Sequence, residues 1–255
     1  MMSAELRDLT VHVDTGRWSG TVLDAVSLVV PERRLTALLG ESGCGKSMAA
    51  AALTGTLPET AASTGEVRIN GAVVRDRLQW RRLRGRAVGL VPQEGVTAFD
   101  PSETVGAQLR ELERRYRRWS LDRACGAAHY PAELFDLYPN QHSSGQIQRA
   151  ALAAALLPAP AVLVADAPAA SLDTETAYGV WTTLRRYADD GAAVLMITHD
   201  VAMLTATRVA DQAALMRHGR IVHTGGTADL AALDDPYVRG FFAEPVVNPL
   251  SSGCV

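Results

Sequence analysis

Near the start of the chain Leu9, Val11 and Val13 share one parity, and Val22 to Val30 forms a second apolar run; both patterns predict strands. Leu35 to Leu39 is a short apolar run that stops at Gly40, the mark of a buried strand, and Ser47 to Leu53 has helical composition. Gly65 to Gly71 reads as a hairpin turning at Asn70-Gly71. From about Thr97 to Pro158 strand signals vanish. An Arg/Glu-rich stretch from Gly106 to Trp119 predicts a helix there, with its arginines on a solvated face. Strand and helix then alternate: Val162 to Ala165, Thr174 to Tyr187, Val194 to Thr198, Val201 to Val209, and a last strand pair, Gln212 to Met216 and Ile221 to His223, around Gly219. Such alternation implies a parallel sheet. The expected class is α/β, with a β-rich N-terminal part and an inserted helical subdomain.

Composition changes this picture little. The 255 residues suffice for one large domain or two small ones. A net charge of −3 creates no field that attracts nucleic acid, so no nucleic-acid partner is expected. Cys44, Cys125 and Cys254 have no metal-ligand spacing and read as reduced thiols. The first ten residues carry no signal-peptide pattern. The apolar tract Ala150 to Ala165 is broken by Pro158 and Pro160 and is shorter than the roughly 18 residues a span needs. Membrane contact is therefore expected to run through a partner.

Candidate chemistry starts at Gly40-Glu41-Ser42-Gly43-Cys44-Gly45-Lys46-Ser47, a full match to G-x-x-x-x-G-K-[ST] between a strand and a helix. Glycines let successive amides turn inward around phosphates, and the helix N-terminus adds partial positive charge. Lys46 is expected to reach the β- and γ-phosphates of ATP, and Ser47 to ligate Mg²⁺. Of the 25 lysines and arginines only Lys46 is a lysine. The exception stands where a tight cradle suits a compact ammonium better than a planar fork.

With this loop in place the sequence resembles the ATP-binding cassette (ABC) ATPases. Val91-Pro92-Gln93-Glu94 looks like their Q-loop, Val162 to Asp166 like Walker B, Ser171-Leu172-Asp173 like the D-loop, and Thr198-His199-Asp200 like the switch histidine. The resemblance implies a P-loop NTPase (RecA-like) core with an N-terminal antiparallel β-subdomain and an inserted α-helical subdomain. It implies one ABC domain over 1–245, with core parts 1–92 and 159–235, a helical signature part 93–158, and a short tail 246–255. It assigns catalytic roles to Gln93, Asp166 and His199, with Mg²⁺ held by Ser47, Gln93 and Asp166. Trp80 to Gly85, Gln93 to Pro101 and Asp235-Pro236-Tyr237-Val238-Arg239 resemble the oligopeptide/dipeptide/nickel importer branch. Partners implied are a second ABC ATPase subunit, two transmembrane permease subunits and, indirectly, a substrate-binding protein. The implied location is the cytoplasmic face of the membrane.

Three positions depart from that family's pattern. Ala167 occupies the place of the catalytic glutamate, so slow hydrolysis at this chain's own site is expected. The signature reads His142-Ser143-Ser144-Gly145-Gln146, with serine replacing the first glycine and histidine the leading apolar residue. Ser143, Ser144, Gly145, Gln146 and Asp173 are expected to contact nucleotide across a dimer, with closure weakened by the Ser144 Cβ. Val13 stands where the family stacks an aromatic on adenine, with Trp18 a nearby substitute. Together these predict a heterodimer with a glutamate-bearing paralogue. A nucleotide-sensing pseudo-ATPase without a transport role is the alternative.

Overall fold

A computed structural model describes residues 3–242; the tail expected over 246–255 lies outside them. The chain begins with β1 (Ser3–Asp14) and β2 (Ser19–Pro31), then β3 (Arg34–Gly40), α1 (Lys46–Thr54), β4 (Ala61–Ile69) and β5 (Ala72–Val73). The Asn70-Gly71 turn joins β4 to β5 with both residues at positive φ, 54° and 78°, as a type I′ hairpin requires. These strands, apart from β3, form an antiparallel sheet ordered β2-β1-β4-β5.

Next come α2 (Arg77–Leu83) and β6 (Val88–Val91). The helical region holds α3 (Val105–Tyr116), α4 (Leu121–Ala127) and α5 (Ser144–Leu156), with three short 3-10 turns between and before them. It contains no strand, as the sequence implies. The helix expected to reach Trp119 stops at Tyr116, because Arg117 adopts the left-handed conformation that ends it. The chain returns through β7 (Val162–Asp166), α6 (Thr174–Asp189), β8 (Ala193–Ile197), α7 (Val201–Thr207), β9 (Gln212–Arg217), β10 (Arg220–Gly225), α8 (Thr227–Ala231) and α9 (Pro236–Phe242).

The second sheet is ordered β10-β9-β3-β8-β7-β6, parallel except for β10. Its central strands are buried on both faces, which is why they read as continuous apolar runs. Period-2 alternation sorts their side chains. Leu163, Ala165, Val194 and Met196 pack with α5 and α6 residues in one core. Val162, Val164, Leu195 and Ile197 pack with α1 and the antiparallel sheet in the other. The Ala150–Ala165 tract is thus the end of α5, a proline turn and a core strand. Among the described residues no helix is long and apolar enough to cross a membrane.

Candidate nucleotide-binding site

The C-terminal ends of β3, β7 and β8 lie side by side, and the loops leaving them build one cleft, where open α/β sheets place ligands. The cleft holds about 300 Å³ and is lined by Ser42, Gly43, Gly45, Lys46, Ser47, Gln93, Asp166, Ala167 and His199, among others. It unites the phosphate loop with the three expected catalytic positions and with the alanine that follows Asp166. Gly40 and Cys44 are not among its lining residues. Cys44 is buried, its thiol 3.8 Å from the Lys46 ammonium.

The loop conformation is possible only with glycine at two positions. A Cβ on Gly40 would lie 2.4 Å from the Met216 carbonyl oxygen. Gly45 has φ 111°, and a Cβ there would meet Leu23, the Val22 carbonyl and the Met216 sulfur. Gly45 caps α1, whose first residue is Lys46. The buried Lys46 ammonium donates to the carbonyls of Gly40 at 2.8 Å and Glu41 at 2.7 Å, so it lies across the mouth of its own loop.

Burial pushes the Asp166 carboxyl up, against the opposing pull of the Ser47 hydroxyl, Lys46 and His199. Burial and the Lys46 charge push His199 down from its ordinary 6.5, which favours the neutral imidazole at pH 7. Ala167 takes a left-handed backbone, φ 46°, with its amide bonded to the Ile197 carbonyl at 3.0 Å. A methyl there neither accepts a proton nor orients water. Among the described residues no group of three or more His, Cys, Asp or Glu could hold a metal.

The signature residues gather elsewhere. Ser143, Ser144, Gly145 and Gln146 line a separate hollow with Ser171, Leu172 and Asp173. Ser143 caps α5: its hydroxyl accepts from the Gln146 amide at 3.2 Å, and the Gln146 side chain accepts from the Ser143 amide at 2.9 Å. Ser144 is the first helical residue, exposed and outside the left-handed region, so serine is conformationally at ease there. Gly145 is tighter, since a Cβ would meet the Leu172 methyl at 3.0 Å and the Ser171 carbonyl at 3.1 Å. His142, in place of an apolar residue, bonds to the Tyr138 carbonyl at 2.9 Å and the Tyr130 hydroxyl at 2.8 Å. Asp173 caps α6 through the Thr176 amide and hydroxyl, which hold its carboxyl below the usual range.

Neither Val13, buried between β2 and β4, nor the exposed Trp18 lines the nucleotide cleft. Sequence reasoning passed over Gln148, a buried glutamine whose amide donates to the Pro92 carbonyl at 2.9 Å, directly before Gln93. One polar residue inside an alanine-rich helix gives no signal that it reaches a loop 56 positions away.

The family model described as "ABC transporter" matches residues 23–170, more than half the chain. The oligopeptide transport ATP-binding protein OppD of Mycobacterium bovis is 34% identical over 89% of this chain and 39% of its own length. This chain thus spans about two fifths of that relative. The metal-staphylopine import system ATP-binding protein CntD of Staphylococcus aureus is 29% identical over 83% of this chain and 82% of its own. In fold, the dimeric structure of MJ0796, a bacterial ABC transporter cassette, superposes with a TM-score of 0.78 at 23% identity, covering 88% of this chain and 98% of that one. The order of motifs, the sheet that carries them and the family match agree: this chain belongs to the ABC transporter family, as an ATP-binding cassette protein similar to oligopeptide, dipeptide and metal-staphylopine import ATPases.

Proposed function

We propose that the chain is the MgATP-binding subunit of an importer of peptides or metal chelates, and the slow half of a two-cassette engine. The observation that carries this reading is the composition of one cleft: Lys46, Ser47, Gln93, Asp166 and His199 line it, together with the methyl of Ala167. The Ser47 hydroxyl and the Asp166 carboxylate are neighbouring hard oxygen donors, the kind that would hold Mg²⁺. Mg²⁺ held there would neutralise phosphate charge. Lys46 grips the β- and γ-phosphates, Gln93 and His199 orient groups around the γ-phosphate, and no side chain at 167 takes the proton from water. Losing a general base lowers rate by about 10²–10⁴.

Parts 1–92 and 159–235 serve as the nucleotide core and 93–158 as the signature arm. The Ser143–Gln146 arm covers ATP held by a second cassette, a paralogue that bears the glutamate. Two permease subunits dock the pair at the cytoplasmic face, and a binding protein delivers cargo. OppD and CntD carry oligopeptide transport and metal-staphylopine import in their names, which supports the cargo class.

The test is single-turnover hydrolysis by the complex reconstituted with its paralogue. Ala167→Glu should speed phosphate release at this site by roughly 10²-fold, and an unchanged rate contradicts the slow-half reading. Failure of the chain to associate with any permease would favour the nucleotide-sensing alternative, which rests on the same Ala167.

A further inference from the structure

The Asp235-Pro236-Tyr237 segment is a family-like motif that does not line the cleft, yet it is tied to it. Asp235 holds the start of α9 with one carboxylate oxygen, accepting from the amides of Tyr237 at 2.7 Å and Val238 at 3.4 Å. Its other oxygen lies 2.9 Å from His223 Nε2 on β10. The helix is thereby fastened to the β9–β10 hairpin. Tyr237 then reaches back along that hairpin, and its hydroxyl donates to the Met216 carbonyl at 2.8 Å. The Arg217 guanidinium lies 4.7 Å over the Tyr237 ring, and Phe241 packs against it edge-on at 5.1 Å.

Met216 is no ordinary strand residue. It is the β9 partner of Gly40, and its carbonyl oxygen fills the space a Cβ on Gly40 would need. Its sulfur borders Gly45. Two residues beyond the strand, the Gly219 amide donates to the Cys44 carbonyl at 3.0 Å. The hairpin is therefore the outer wall of the phosphate loop, touching its first glycine, its middle and its last glycine. The Glu41 backbone also lies beside the Tyr237 oxygen, and burial pushes that phenol up from its ordinary value. Gly40 and Glu41 supply the two carbonyls that receive the Lys46 ammonium.

We propose that Tyr237 is a positioning residue for the phosphate loop: its hydroxyl braces the Met216 carbonyl and the Gly40–Glu41 backbone, and so fixes where Lys46 and the loop amides meet nucleotide phosphates. The proposal rests on the MgATP-binding reading. A ring alone would serve packing, and phenylalanine would supply it. The hydroxyl adds a tie to the backbone that the loop's lysine depends on.

The test compares the full chain with Tyr237→Phe by titration calorimetry, using MgATP and magnesium tripolyphosphate, with hydrogen exchange at the Glu41 and Ser42 amides as a second measurement. Loss of one such hydrogen bond should weaken both ligands by roughly fivefold and speed exchange at those amides, with the melting temperature little changed. A purely structural role would lower the melting temperature and leave the affinity of the folded fraction untouched. Unchanged affinity and unchanged exchange in a folded variant overturn the brace. Should the unaltered chain take up no MgATP, the nucleotide reading fails and the exchange measurement alone decides the brace.

Discussion

Gly43 and Gly45 sit two positions apart in the same loop, both at positive φ, and are constrained differently. Around Gly43 (φ 77°) a Cβ would meet nothing within 4 Å. Around Gly45 (φ 111°) it would meet Leu23 at 2.9 Å and the Val22 carbonyl at 3.0 Å. Gly43→Ala should cost only the left-handed backbone preference, about 1 kcal/mol, whereas Gly45→Ala adds overpacking, for a total of about 3 kcal/mol. Urea denaturation of the two variants checks this; equal costs would mean the tight packing behind Gly45 is not there. Gly45 is legible in the sequence because the motif's spacing fixes it, whereas Gly43 falls on a position the motif leaves free. The left-handed φ of Ala167 is not legible, because nothing about an alanine between Asp166 and Pro168 announces it.

Among the elements, α5 joins the two halves of the expected chemistry. Its N-terminus carries the expected signature, closed by the Ser143–Gln146 capping box. One turn later, Gln148 holds the Pro92 carbonyl, and Gly95 approaches so closely that a Cβ would meet the Ile147 carbonyl at 2.7 Å. A shift of the signature helix must therefore carry the segment of Gln93 with it. Gln148→Leu deprives the part-buried Pro92 carbonyl of its partner and should destabilise the fold by about 1 kcal/mol; a melting temperature equal to that of the unaltered chain would contradict the tie. The long apolar runs of β3, β7 and β8 made those strands readable. The helix α2 was not, for a physical reason: in its seven residues, RLQWRRL, only Trp80 and Leu83 pack against the core, and neither is fully buried. It forms because Asp76 caps it through the Gln79 amide and because Trp80 lies against Gly55, where a Cβ would come within 2.1 Å of the indole. The cap is local in sequence, but the Gly55 contact is read only once the chain has folded.

At the scale of the whole molecule, Asp211 links segments far apart in the chain. It accepts from Arg34 at 3.0 Å and the Leu35 amide at 2.7 Å at the start of β3, and from Arg185 on α6. Burial pushes its carboxyl up, but Arg185, the Leu35 amide and Arg34 outweigh it and hold it below 3.8. A depressed carboxylate contributes stability above its unfolded value that is lost as pH falls through its folded one. Asp211→Asn should therefore cost about 2 kcal/mol near neutral pH, and the deficit should shrink as the pH drops below 3.8. Urea melts across that range check the sign; a pH-independent deficit would contradict it. The α/β class and the inserted helices followed from the sequence pattern, but the strand order β10-β9-β3-β8-β7-β6 did not, since crossovers leave no local trace. That order brings the phosphate loop, Asp166 and His199 to one edge, and the central claim is that Lys46 there grips MgATP. Equilibrium dialysis with labelled MgATP, on the unaltered chain and on Lys46→Ala, tests it most directly. The account predicts one nucleotide per chain and at least tenfold weaker uptake without the ammonium, about 1.4 kcal/mol. Equal uptake by both, or none by either folded protein, would contradict it.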